Sequence, residues 1–225
     1  MKGQLIADTA DVDFDELVLM PTERKSIKTI LKYTNELVRQ SVIGIDAVLK
    51  ARLVKDVSDA LDTALLTGAG TSHSITGIIN QPDVQTGSWS PIDPDTLLDA
   101  IGLAVAAEVM PNKWFISGED FITLRKVKEL TSGSNKYVLE SDLTAGPTYR
   151  LFGIDVVVTN KIPQGTAVLA DTSQIAVARD IAPSVTVLTE RYAEYDQIGL
   201  RVVTRYDLGL LHPEGVIVLT TVGGS

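Results

Sequence analysis

The side chains with the greatest capacity for chemistry are few and scattered in this sequence. Histidine occurs twice, as His73 and His212, and cysteine not at all. A zinc centre draws on histidines and cysteines clustered at short spacings, and neither histidine has such a neighbour. His212 precedes Pro213, which suits a surface or packing role. Asp93, Asp95 and Asp99 offer the oxygen ligands a divalent cation takes, yet the same residues suit the start of a helix, where the macrodipole favours carboxylates. Asp11, Asp13, Asp15 and Glu16 raise the same question, but the first three alternate with Val12 and Phe14 and read as the wet side of a strand. Gly68-Ala69-Gly70-Thr71 has two glycines of a nucleotide loop. It lacks the third glycine of G-x-G-x-x-G and a G-K-[ST] end, and it follows a helix rather than a strand, so a helix stop is the better reading. No Gly-x-Ser-x-Gly elbow is present, and a catalytic triad would have to use one of the two isolated histidines. Paired carboxylates for hydrolysis leave no signature in one dimension. The sequence therefore nominates no catalytic, cofactor-binding or metal-ligating set.

The totals narrow the remaining classes. At 225 residues the chain can bury a sizeable core as one large or two modest domains. Its 44% hydrophobic and 22% charged residues are ordinary for a globular protein. No apolar run approaches the ~18 residues of a membrane span, and Met1-Lys2-Gly3-Gln4 leads into no secretory h-region. The absence of cysteine removes disulfides and thiolate ligands and suits a reducing compartment. A net charge of −9 argues against tight wrapping of a nucleic acid, which needs clustered Lys and Arg.

The elements are organised around one long amphipathic helix, expected from Asp46 to a stop at Gly68. Leu49, Leu53, Val57, Leu61 and Leu65 lay down an apolar stripe, widened by Ala60 and Ala64. Arg52 and Asp56, and Lys55 and Asp59, are i,i+4 pairs on the wet side. Asp46 is the expected N-cap and Gly68 the expected left-handed C′ residue. Before this helix, residues 1–22 read as extended, with a bulge near Asp15–Glu16. Ser26–Tyr33 alternates as a strand, and Thr34 or Asn35 opens a short helix through Ser41. After it, 72–91 is turn-rich, with a short strand at Ile75–Ile79. Asp93 caps a second helix with Pro94 at its first position, whose apolar residues are Leu97, Leu98, Ile101, Val105 and Val109. Trp114–Ser117 is a buried strand, and Ser117 with Asp120 starts a third helix reaching about Glu129. Thr131–Pro147 is polar and loop-like. Leu151–Thr159 and Thr166–Ala170 read as strands, so residues 93–180 form an α/β layer. Val185–Thr189, Ile198–Asp207 and Val216–Val222 make a strand-rich end returning to the first helix.

In that order, the pieces resemble the major capsid proteins of tailed bacteriophages. The resemblance lies in Thr34-Asn35-Glu36-Leu37-Val38-Arg39-Gln40-Ser41, then the spine helix, then Asp62-Thr63-Ala64-Leu65-Leu66-Thr67-Gly68-Ala69-Gly70-Thr71 and Gly77-Ile78-Ile79-Asn80. It continues in Leu151-Phe152-Gly153-Ile154-Asp155-Val156-Val157 and in Arg205-Tyr206-Asp207, through Pro213 to Leu219. It spans nearly the whole chain in the same order; no one piece is diagnostic, and the series is fairly specific.

The resemblance implies an α+β, Hong Kong 97-like capsid fold. Residues 23–79 and 183–225 would form a discontinuous peripheral domain with spine helix 46–66, residues 80–182 an axial domain, and residues 1–22 part of an extended loop reaching over a neighbour. Met1 falls where the middle of that loop is expected, so an upstream arm and loop strand are expected beyond it. The implied function is a non-enzymatic shell subunit of a phage or prophage. It would self-assemble into pentamers and hexamers of an icosahedral head that encloses double-stranded DNA without sequence-specific contacts. Implied partners are further copies, a scaffold, a maturation protease and a portal, with no membrane and no cofactor. The implied location is the virion capsid, assembled in the host cytoplasm, and the 131–147 loop is expected to act near a symmetry axis. An encapsulin-type nanocompartment shell shares the fold and is the alternative. An α/β hydrolytic or metal-dependent enzyme, or a peptide-binding module on strand edges, stands behind it. Some capsid proteins weld subunits through a Lys–Asn isopeptide bond, with the asparagine in the peripheral domain. Lys2 lies near the loop, but no asparagine follows Asn160. Assembled particles are therefore expected to run as a single monomer band on a denaturing gel, and a covalent ladder would contradict this.

Overall fold

Period-two alternation in the two clearest strand segments becomes one antiparallel pair. Strand β1 (Ile27–Thr34) lies against β8 (Gln197–Leu210), with Leu31 opposite Leu200 and Thr29 opposite Val202. Strand β7 (Ile175–Leu188) pairs with the other side of β8 to complete a three-stranded sheet, β1-β8-β7. The computed structural model describes residues 25–36, 45–71, 74–128 and 149–221. The expected strand at 1–22, the helix beyond Glu36, the 131–147 loop and His73 lie outside them.

Helix α1 (Ile45–Thr67) begins one residue before the expected cap Asp46 and packs on one face of this sheet. Leu53 and Val57 are buried there against Tyr33, Leu200 and Val202, with Leu49 and Leu31 at the margin. The rest of the stripe is only half-buried, and Ala60 is exposed. Arg52 and Asp56 form the expected pair at 2.9 Å. Asp59 receives Lys161 instead of Lys55.

The helix stop differs from expectation. Gly68 is not left-handed; Gly70 is, at φ 68°. Gly68 is required for another reason, the close crossing of two backbones. Its N–H donates to Ala64 O, and the Gly77 N–H donates to Gly68 O, both at 2.9 Å. A Cβ on Gly68 would collide with the carbonyl oxygens of Ile75 and Ala64, and one on Gly77 with the backbone nitrogens of Gly68 and Thr67. Asn80 Nδ2 donates to Gly68 O across the crossing. The expected strand at Ile75–Ile79 is therefore a single bridge between Ala69 and Thr76, followed by a 3₁₀ turn at Ile78–Asn80.

The second layer is a mixed six-stranded sheet with order β2-β9-β6-β3-β5-β4. Its strands are β2 (Gln85–Ser88), β3 (Lys113–Ile116), β4 (Arg150–Leu151), β5 (Ile154–Val158), β6 (Thr166–Ala170) and β9 (Val216–Thr220). Helices α2 (Pro94–Ala106) and α3 (Gly118–Arg125) cover one face. Their caps are the expected ones: Asp93 accepts from Thr96 N at 3.0 Å, and Ser117 Oγ accepts from Asp120 N at 3.2 Å. Trp114, Ile116, Ala167, Leu169, Ile217 and Leu219 point to this helical face. Val168, Ala170, Val216 and Val218 point to the other, where Leu61 and Leu65 of α1 and Leu208 and Leu210 of β8 cover them. The central strands are thus buried on both sides, which explains their near-continuous apolar sequence.

Several expectations are corrected here. Leu151–Thr159 is not one strand. Phe152 and Gly153, at φ 51° and 83°, turn the chain into a β4–β5 hairpin, the conformation of a primed two-residue turn. Helix α3 ends at Arg125 rather than Glu129. The buried face of α2 is Leu97, Ala100 and Ala104, whereas Leu98 and Val105 point outward. β2 was hidden in the turn-rich stretch. The expected division after residue 182 falls inside β7, and β9 joins the six-stranded sheet beside β2 and β6. β8 and β9 both return to α1, but in different sheets, because Val216 to Leu219 are apolar on both faces and need a sheet covered on both sides.

Gly77→Ala is expected to destabilise the subunit by about 1–3 kcal/mol, since only backbone atoms surround the added methyl and no rotamer change relieves the overlap. Gly102→Ala, where an added Cβ meets nothing within 4 Å, is expected to be neutral or stabilising by up to ~1 kcal/mol. Urea unfolding of the two variants checks both signs.

Candidate assembly interface

The residues singled out for chemistry are not brought together. Asp93 is used as a cap, and Asp95 and Asp99 are exposed along α2. His212 is exposed ahead of a 3₁₀ turn and makes no capping hydrogen bond there. Gly68 to Thr71 form the backbone crossing rather than a phosphate cradle. Asp11, Asp13, Asp15 and Glu16 lie outside the described residues. Among the described residues no three His, Cys, Asp or Glu side chains gather in a way that could hold a metal ion. No helix among them is long and apolar enough to cross a membrane.

Two buried carboxylates are structural pins. Asp120 is 1% exposed. It accepts the Ser117 hydroxyl at 2.7 Å and the Gly165 N–H at 2.8 Å, tying the start of α3 to the turn before β6. Asp207 is buried at the junction of the layers, where Lys25 donates to it at 2.8 Å. A lone carboxylate in a strand of alternating residues gives no hint of this partner, 182 positions away.

What the molecule offers instead is surface. α1 spans 23 residues, and Leu53 and Val57 are its buried positions among the described side chains. The face of the three-stranded sheet opposite α1 carries Lys28, Ile30, Lys32, Arg201 and Val203, and Tyr192 lies over one end of it, beside Gly199 and with its ring centroid 4.4 Å from Lys32 Nζ. β7 and β8 are 14 residues each, far longer than an ordinary strand, and β7 is an edge. Pro183 and two register shifts interrupt that edge, the usual means by which an exposed edge is kept from indiscriminate pairing. Among the described strands the six-stranded sheet ends at β2 and β4. A mostly apolar hollow of about 340 Å³, lined by Leu65, Phe115, Val157, Val177 and Leu208 among others, opens between α1 and the second layer.

A charged latch crosses the rim of that hollow. Lys161 Nζ donates to Asp59 Oδ1 at 3.0 Å and to Asp62 Oδ2 at 2.8 Å, tying α1 to the turn after β5. The Lys161 hydrogen bond holds the Asp59 carboxyl below its ordinary value of 3.8. The two carboxylates, Asp62 first, raise Lys161 above 10.5. A second such group is Asp155, lowered by its hydrogen bonds to Lys113 and then Arg150, at 3.0 and 2.9 Å.

Comparison with known proteins places this geometry. The family model for the phage capsid family matches residues 8–221. No curated protein matches the chain by sequence. Among solved structures, the capsid of an empty GTA particle is similar with a TM-score of 0.71 at 15% identity, covering 88% of this chain and 73% of that one. The structure from Microbacterium phage Oxtober96 is similar at 0.69 and 17%, covering 87% and 72%. The holo-SrpI encapsulin complex from Synechococcus elongatus PCC 7942 gives 0.61 and 14%, covering 88% and 74%. At these identities the structural likeness bears on the fold alone.

The latch sets a pH window. Asp59's contribution is present above its unfolded value near 3.8 and is lost as pH falls through the lower folded value. That of Lys161 is present below 10.5 and is lost as pH rises through its raised folded value. Lys161→Met is expected to lower the melting temperature at neutral pH, with the gap to the parent closing below about pH 4 and shrinking with added salt. Thermal melts from acid to neutral pH check this; a gap unchanged by pH would show that the lysine acts through packing alone.

Proposed function

The chain belongs to the phage capsid family and is a structural shell subunit of that type, and from that premise we propose that its copies assemble into rings of five and six that close an icosahedral head around double-stranded DNA. The observation that supports this most is the contrast just described. Among the described residues no reactive set gathers, while helix, sheet-face and strand-edge surfaces are left open in a single copy. Closed shells arise when repeated heterologous contacts close on themselves, and such a subunit needs several modest interfaces rather than one site.

In this proposal the layer of α1 with β1, β8 and β7 is the peripheral domain, and the six-stranded sheet with α2 and α3 and the final strand β9 is the axial domain. Residues 1–22 belong to the extended loop that reaches a neighbour. Scaffold, maturation protease and portal are the expected partners, and assembly in the host cytoplasm precedes the virion location. A charge of −9 suits a container whose DNA is held by confinement. The subunit carries out no catalysis in this reading. The encapsulin likeness supplies the second reading, a shell around protein cargo.

Negative-stain electron microscopy of the concentrated protein tests the proposal. Closed shells or rings of five and six are the expected outcome. Nuclease-resistant DNA inside shells formed in a host favours the phage reading, and protein cargo without DNA the encapsulin one. A uniform monomer or small dimer would overturn both and return attention to Asp95 and His212.

A further inference from the structure

The two edges of the six-stranded sheet carry opposite charge, and each has its own exposed apolar centre. At the β2 edge, Asp83, Glu108 and Glu214 line an open hollow of about 640 Å³ with no lysine or arginine among its lining residues. Asp83 and Glu108 are both held in the left-handed region, at φ 60° and 58°. α2 lies over this edge, with Leu103 near Gly87 of β2. Its outer face presents Asp95 and Asp99 beside Leu98, Gly102 and Val105, and Leu98 and Val105 are 47% and 68% exposed. The sequence from Asp56 to Asn112 contains neither lysine nor arginine, so the charge on this side is of one sign.

The β4 edge is the reverse. Arg150 lies on β4 and is 65% exposed in its side chain. Arg125 sits at the end of α3, 5.9 Å from the rings of Phe121 and Tyr149, which themselves meet at 4.8 Å. Lys126 follows, exposed, at the C-cap of α3. Asp155 lies among these cations and is shared by Lys113 and Arg150, which leaves the described residues of this edge basic. Ile122, Tyr149 and Phe152 are exposed between the charges.

Gly102 adds an independent sign. It stands inside α2, where glycine costs about 1 kcal/mol relative to alanine. Among the described residues nothing comes within 4 Å of a Cβ placed there, so no packing among them accounts for it. A neighbour's side chain seated on the helix would.

We propose that the α2–β2 face of one copy receives the β4–α3 edge of the next. In this contact Leu98, Gly102 and Val105 take the exposed apolar groups Ile122, Tyr149 and Phe152, while Asp99 and Glu108 face Lys126 and Arg150. The six-stranded sheet spans roughly 24 Å between its edges at ~4.8 Å per strand, so the two patches lie on opposite sides of the domain. Such a contact is heterologous: it cannot pair two copies face to face, and it propagates around a ring. The proposal rests on the shell reading and specifies which surfaces build the ring.

Three variants of the full chain test it at low ionic strength, with ring content read by native mass spectrometry. An acid-side variant (Asp99→Lys with Glu108→Lys) and a base-side variant (Lys126→Glu with Arg150→Glu) are each expected to lose at least tenfold in ring content. Mixing the two restores even-membered rings only, because each reversed edge finds its complement solely in an alternating order. Combining all four substitutions in one chain restores rings of any number. Gly102→Trp is expected to keep the parent's melting temperature and lose ring formation. Rings that are unaffected by the charge reversals or by Gly102→Trp, or that fail to return on mixing, would overturn the proposed contact and leave the shell reading in place. A parent protein that forms neither rings nor shells would end both.

Discussion

The rest of the structure depends on burial of β6 and β9 from both sides. All five residues of β6 and four of the five of β9 are buried. Each strand sends alternate residues into two different cores. One is sealed by α2 and α3, the other by α1 and the near end of β8. At about 25 cal/mol per Å² of apolar surface, neither face could be left to water without losing the sheet. The two layers are therefore mechanically joined: α1 cannot be lifted from the six-stranded sheet without exposing Val168, Ala170, Val216 and Val218. The glycine crossing at Gly68 and Gly77 fixes where α1 ends relative to that sheet, and the Lys161 latch holds its wet side against the turn after β5.

That joint has a consequence at the far end. β7 starts within the shared core and runs well past it to a turn, from which β8 returns, and at that turn the Asn35 N–H donates to Asp196 O at 3.0 Å. Beyond the joint the hairpin has α1 on one face and, among the described residues, Tyr192 near the far turn on the other. A three-stranded sheet with one covered face is an ordinary antiparallel arrangement. Along the outer part of α1 the core is small, Leu53 and Val57 packed on Tyr33, Leu200 and Val202, so length here supplies reach and surface around a narrow core.

Legibility in the sequence followed the strength of local rules. The caps of α2 and α3 were readable, since Asp93 with Pro94 and Ser117 with Asp120 satisfy specific backbone donors, whereas Asp46 lies inside α1 and Gly68 is not left-handed. Strands with one wet face were readable, as in β1 and β8, because alternation records the difference between faces. Where both faces are dry, alternation vanishes, and β9 could be recognised as a strand but not placed in a sheet. The β4–β5 hairpin was missed because Phe152, a bulky residue at positive φ, sits where asparagine or glycine usually advertises such a turn. α2 misled in a more informative way. Its bulky residues Leu98 and Val105 were read as core, whereas the small residues Ala100 and Ala104 are buried because the helix lies close to the sheet.

A shell subunit has no reason to concentrate its chemistry, so its reactive residue types lie scattered along the sequence while the order of its motifs is informative. Enzymes converge side chains on reacting atoms, so a few residue types at a few spacings betray them. A subunit that functions through repeated contacts spreads its specificity over helix faces and sheet edges, and each contributes only part of an interface. In such a molecule an exposed leucine beside a helix-interior glycine, or edges of opposite sign on one sheet, carry the functional content. They look like defects of a lone subunit because the energy they would recover is available only when a second copy is present.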